Sequence, residues 1–137
     1  MPWVVDTCIL LDVLEDDPAF GEPSARLLDH HAEEGLVICP ITYAELAPAF
    51  GGDLELQDEF LNGVGVLFRE DWTFADTRAA HAAWDRHIRR KRKKQAAKRP
   101  LADILIGAFA ERFSGLLTRN PDDFGGSFPT LRIRVSS

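Results

Sequence analysis

The stretch that most constrains the fold is Trp3-Val4-Val5-Asp6-Thr7, close to the start of the chain. Trp3 to Val5 favour an extended strand. Asp6 ends the run, and Thr7 can cap a helix that begins with Cys8-Ile9-Leu10-Leu11. A strand that passes through an acid directly into a helix puts that acid at the carboxyl edge of a sheet. Open α/β folds place their chemistry at that edge. An acid closing a buried strand also needs a partner, because an isolated buried carboxylate is costly.

The rest of the chain repeats the alternation. Residues 7–15 read as a helix closed by the acidic turn Glu15-Asp16-Asp17-Pro18, and Pro23 to Glu34 as a second helix with Gly35 as its stop. Leu36-Val37-Ile38-Cys39 is a continuous apolar run, the pattern of a strand buried on both faces. Pro40 suits the first turn of the next helix, which carries Thr42 and Glu45 and is broken by Pro48 and Gly51-Gly52. Leu54 to Leu61 is helical, and Gly65 to Phe68 supplies a third strand. A long helix starts at Thr73 and runs into a basic cluster. Pro100 opens a helix over Leu101 to Phe113, Leu116-Leu117-Thr118 is a fourth strand, and Asn120 to Asp123 is a turn. Leu131 to Val135 is a final edge strand, with Arg132 and Arg134 facing water. Alternating strands and helices imply an α/β fold with a mostly parallel sheet covered on both faces.

The 137 residues suffice for a single domain with a real core, and no linker divides them. No apolar run approaches the roughly 18 residues of a membrane span, and the N-terminus lacks a signal-peptide pattern. Cys8 and Cys39 read as small buried residues rather than a disulfide scaffold. These features point to a cytoplasmic protein.

Four acids fall where the loops of such a sheet converge. Asp6 ends the first strand, Glu45 lies about one turn into the helix after the second, Asp103 is in the first turn after Pro100, and Asp122 or Asp123 follows the fourth strand. Carboxylates sharing a cleft repel unless a cation neutralises them, and hard oxygen ligands select Mg²⁺ or Mn²⁺ over zinc. Taken alone, Asp103 serves equally well as a favourable charge at a helix N-terminus, and Glu45 as a solvated helix position. The neighbours of Glu45, Tyr43, Ala44, Leu46 and Ala47, nevertheless suggest surroundings other than solvent. Gly107 and Ala110 share a face with Asp103 and leave room for a ligand or for close packing. Asp12, Asp16 and Asp17 read as surface acids and turn formers, and His81 and His87 as helix-surface residues. No Cys or His stands at zinc-ligand spacing.

Net charge is −6, yet residues 86–99 hold nine of the 16 basic residues and no acid, leaving seven basic residues against 22 acidic ones elsewhere. Arg89, Arg90, Lys91, Arg92, Lys93 and Lys94 form the centre of this window. Such an arm can grip a polyanion locally, or it can be a solvated helix end. It contains no aromatic residue, so base stacking is not expected there.

Four stretches in order, Val4-Val5-Asp6-Thr7, Thr42-Tyr43-Ala44-Glu45-Leu46, Ala102 to Ala108 and Leu117-Thr118-Arg119-Asn120-Pro121-Asp122-Asp123-Phe124, resemble the PIN-domain ribonucleases, and among them the VapC-type toxins of bacterial toxin–antitoxin pairs. The resemblance implies a three-layer α/β/α sandwich with a four- to five-stranded sheet and a Mg²⁺- or Mn²⁺-dependent endoribonuclease acting on RNA. It implies that Asp6, Glu45 and Asp103 take the core acidic positions. Many PIN domains carry Asp where this chain has Asn120, whereas toxin-like members carry Asn there and an acid just before Phe. That pattern selects Asp123 as the fourth acid, with Asn120, Thr7 and Thr118 in support. The family further implies a homodimer and an inhibitory antitoxin partner. Two rival readings are a non-catalytic module that keeps the fold and binds RNA or protein, and a phosphatase with Asp6 as nucleophile. The second would want an Asp where Cys8 stands.

Overall fold

The structure, a computed structural model, describes residues 1–94 and 100–136, and of residues 91–94 the backbone alone. Five parallel strands form one sheet: β1 (Trp3–Val5), β2 (Leu36–Val37), β3 (Val66–Leu67), β4 (Gly115–Thr118) and β5 (Ile133–Val135). Their order is β3-β2-β1-β4-β5. β1 is central, pairing Trp3 with Leu36 on one side and with Gly115 on the other.

Successive side chains on a strand point to opposite faces, and the sheet obeys this without exception along its inner strands. Trp3, Val5, Leu36, Ile38 and Leu117 pack into one layer with Ile9, Leu10, Leu27, Leu28 and Leu61. Val4, Val37, Cys39 and Leu116 pack into the other with Ala83, Ile104, Ala108, Phe109 and Phe128. Both faces are therefore apolar and covered by helices, which makes a three-layer α/β/α sandwich. The helices are α1 (Thr7–Leu14), α2 (Gly21–His31), α3 (Pro40–Glu45), α4 (Leu54–Gly63), α5 (Phe74–Lys94), α6 (Leu101–Ala110) and α7 (Asp122–Gly125), with a 3₁₀ turn over Ala47–Phe50. Among the described residues no helix is long and apolar enough to cross a membrane.

Two directions matter for the site. β4 starts at the amino edge only a few residues after α6 ends, so α6 runs from the carboxyl edge to the amino edge. α5 packs against α6, its start lying beside the end of α6. Its start is fixed at the amino edge by Arg112, just beyond α6, whose guanidinium donates to both carboxylate oxygens of buried Asp76 at 2.9 Å and to the Asp71 carbonyl. The far end of α5 therefore comes up to the carboxyl edge, and Arg86, Arg89 and Arg90 come with it.

Several local expectations change. α2 ends at His31 rather than Glu34, and Gly35 lies in the following turn at φ +102°. α6 ends at Ala110. The expected turn over Asn120 to Asp123 passes into the short helix α7, because Phe124 is fully buried and draws the segment into a helical turn, with the Gly125 N–H donating to the Pro121 carbonyl at 3.0 Å. His87, expected on the surface, is only 7% exposed and packs against Trp84. It falls on the inward stripe of α5 with Ala80 and Ala83, at the i, i+3, i+7 spacing that faces a neighbouring layer. His81 is exposed as expected.

Candidate active site

The chain leaves β1 toward β2 on one side and leaves β4 toward β5 on the other. Adjacent parallel strands whose connections diverge open a crevice at their carboxyl ends. The residues next in register after the Val5–Leu117 pair are Asp6 and Thr118. The Asp6 N–H extends the ladder to the Leu117 carbonyl at 2.9 Å, and the Thr118 hydroxyl donates to Asp6 Oδ2 at 2.7 Å. Asp6 Oδ1 accepts the Thr7 N–H at 2.8 Å, and the Cys8 thiol reaches Oδ2 at 3.3 Å. Both carboxylate oxygens are thus held while the side chain is only 6% exposed.

Burial pushes the Asp6 carboxyl above its ordinary value. The bonds from Thr118, Cys8 and Thr7 oppose this, and the negative charge of Glu45 adds to it. The Cys8 thiol is pushed up to about 12 by burial first and by Asp6 second, so it stays protonated and acts as a donor.

Glu45 is joined to this centre through Thr7. The Thr7 hydroxyl lies 2.6 Å from Glu45 Oε1 and 3.1 Å from the Thr42 hydroxyl, and its one proton goes to the carboxylate. Glu45 itself is exposed, contrary to the surroundings its neighbours suggested. It is the last residue of α3, and its charge projects from the helix end. On the β4 side, the Thr118 oxygen accepts the Asn120 N–H at 3.1 Å while its proton goes to Asp6. One hydroxyl therefore ties Asp6 to the backbone of the following loop.

Asp103 is half-buried in the first turn of α6, the end of that helix nearest the carboxyl edge. The room left by Gly107 on its face is filled: a Cβ there would stand 2.3 Å from the Phe128 ring. Close packing, not a ligand, accounts for that glycine. Asp122 and Asp123 are both exposed on α7, with the Asp123 N–H bonded to the Asn120 carbonyl at 3.1 Å. The structure thus links Asp6, Thr7, Glu45, Thr118 and Asn120 through direct bonds, and sets Asp103, Asp122 and Asp123 on elements opening at the same edge. Among the described residues no three acidic, histidine or cysteine side chains gather at ligand distance. The donors present are hard oxygens, and a buried carboxylate with a raised pKa gains from a nearby cation. In type they suit a hard divalent ion.

The basic window divides. Arg86 Nε donates to the Ser127 carbonyl at 2.8 Å; Arg90 donates to the Gly126 carbonyl and, at 2.9 Å, to the Ser127 hydroxyl. These two arginines fasten α5 to the loop beyond α7. Arg89 forms an exposed pair with Asp85 at 3.0 Å. The side chains of Lys91, Arg92, Lys93 and Lys94, and all of Lys98 and Arg99, lie outside the described residues.

The largest correction concerns Asp12. Read from the sequence as a surface acid, it is 3% exposed, and its Oδ2 accepts both the Ser24 hydroxyl at 2.9 Å and Arg119 Nε at 3.0 Å. Its position three residues after Ile9 was the available signal, since that spacing puts it on the buried face of α1. Asp16 and Asp17 do form the turn: Asp16 has φ +48°, and Asp17 Oδ1 accepts the N–H groups of Ala19 and Phe20.

Comparison with known proteins agrees with this architecture. The chain is similar in structure to one from the crystal structure of VapBC2 from Rickettsia felis bound to a DNA fragment from their promoter, with a TM-score of 0.67, 18% identity and full coverage of both chains. A search of curated proteins found no sequence match. The sequence profile of the PIN domain matches residues 3–125, from the first residue of β1 to the last of α7. With that match spanning the whole switch-point crevice, this chain belongs to the PIN-domain family.

Proposed function

We propose that the chain is a Mg²⁺- or Mn²⁺-dependent endoribonuclease and the toxin of a toxin–antitoxin pair. The observation that carries the reading is the Asp6 carboxylate, buried at the β1–β4 switch point and held by Thr118, with Glu45 one hydroxyl away through Thr7. PIN domains are generally nucleases. In this reading Asp6, Asp103 and Asp123 hold the ion, directly or through water, and Glu45 orients a further water. Once bound, the ion would lower the pKa of a water and neutralise charge on the scissile phosphodiester. Thr118 fixes the rotamer of Asp6, Thr7 fixes that of Glu45, and Asn120 follows Thr118 through its backbone N–H. In the same reading the cationic residues after Arg90 in the sequence, Lys91, Arg92, Lys93 and Lys94, hold the RNA backbone. The likeness to the chain from the VapBC2 complex supports an antitoxin partner, and the family resemblance supports a homodimeric state.

The test is cleavage of a mixed-sequence RNA pool with Mg²⁺, Mn²⁺ or EDTA. Internal cleavage is expected with either ion and none with EDTA, and Asp103→Asn should lower the rate by about a hundredfold. Equal cleavage by wild type and Asp103→Asn would remove Asp103 from the site.

A further inference from the structure

Thr118 and Arg119 are consecutive, so their side chains leave opposite faces of the sheet. Thr118 turns to the side of α6 and holds Asp6. Arg119 turns to the side of α1, where its Nε donates to Asp12 Oδ2 at 3.0 Å and its guanidinium lies 4.3 Å over the Phe20 ring. The same Asp12 oxygen accepts the hydroxyl of Ser24, which is fully buried on α2. α1 begins at Thr7, immediately after Asp6. The contacts therefore close a ring: Asp6 leads through α1 to Asp12, Asp12 binds Arg119, Arg119 adjoins Thr118, and Thr118 binds Asp6.

We propose that Asp12 is a positioning residue for the Asp6 centre, acting through Arg119 to fix where the end of β4 presents Thr118. This deepens the nuclease reading and, where activity is concerned, rests on it. A carboxylate buried between α1, α2 and the end of β4 touches no reacting atom. What it does is set the angle between α1 and β4, the two elements whose ends carry Asp6 and Thr118. Small displacements of such groups cost rate more than affinity, because binding survives a misalignment that in-line attack does not.

The experiment separates positioning from stability. Removing one member of a buried ion pair unfolds proteins for reasons unrelated to position, whereas replacing both with apolar residues of similar size is often neutral. The decisive variant is the double replacement Asp12→Leu with Arg119→Met, alongside Ser24→Ala as a milder change. Two readouts are taken: kinetics on mixed-sequence RNA with Mn²⁺, and the amide chemical shift and exchange rate of Asn120, whose N–H reports the Thr118 oxygen. The double variant, in which the buried Ser24 hydroxyl loses its acceptor, should melt a few degrees lower, keep its KM within about twofold, lose about ten- to a hundredfold in kcat, and speed exchange of the Asn120 amide. Ser24→Ala should move both readouts in the same direction by less. An unchanged Asn120 amide in a folded variant overturns the proposal, and so does an unchanged kcat. If the double variant does not fold, Ser24→Ala decides on the same two readouts. If wild type fails to cleave RNA, the nuclease reading falls while the amide readout still decides whether Asp12 positions Thr118.

Discussion

At the scale of single residues, Asp6 carries two opposed demands. Burial and the charge of Glu45 raise its pKa, and the bonds from Thr118, Cys8 and Thr7 do not cancel that rise. An acid whose folded pKa is raised binds its proton more readily in the native state than in the unfolded chain. The resulting destabilisation is absent below the unfolded value of about 3.9, grows as pH rises through the folded pKa and is complete above it. Asp6→Asn should therefore melt higher than wild type at neutral pH without divalent ions, and the gain should disappear in acid. Melting curves from pH 3 to 8 in EDTA check this. A variant that melts lower than wild type at pH 7 would mean that the hydrogen bonds to the carboxylate outweigh its burial.

At the scale of elements, α5 shows where sequence patterning stops informing. Its apolar stripe ends near Ile88, and the arginines beyond read as one uniform arm. The helix continues to Lys94 because Lys and Arg are good helix formers, and two members of the arm are engaged within the fold. Arg86 and Arg90 bind the 126–127 loop, a contact between residues some 40 positions apart that no local pattern reveals. Gly126 is part of that contact, since a Cβ there would stand 2.9 Å from the Arg90 guanidinium carbon. In the proposed reading the remainder binds phosphates and releases counterions, so RNA affinity should fall steeply with salt. Exchanging Lys91, Arg92, Lys93 and Lys94 for Gln, with Arg86 and Arg90 left in place, should weaken RNA binding and flatten its salt dependence, by about one unit of slope for each phosphate no longer neutralised. Metal affinity should hardly change. RNA affinity measured at several salt concentrations decides it, and identical slopes would leave the segment without an RNA role.

At the scale of the whole molecule, the strands and their burial were legible in the sequence because runs such as Leu36 to Cys39 can only be buried on both faces. The acid at the end of β1 was legible for the same reason. Strand order was not, because adjacency of β1 and β4 is a contact across more than 100 residues, and it is this adjacency that brings Thr118 to Asp6. The Asp12–Arg119 pair was hidden likewise: each partner alone looks like an ordinary charge, and only the closed sheet buries Asp12 against a half-buried Arg119. The sandwich delivers α1, α3, α6 and the β4 loop to one edge, where in the proposed reading their acids share one hard divalent ion. Calorimetric titration of Mn²⁺ into wild type and into Asp6→Asn tests this sharing. Saturable binding is expected for wild type, with at least about a tenfold loss of affinity in the variant. Equal Mn²⁺ binding by the two proteins would contradict it.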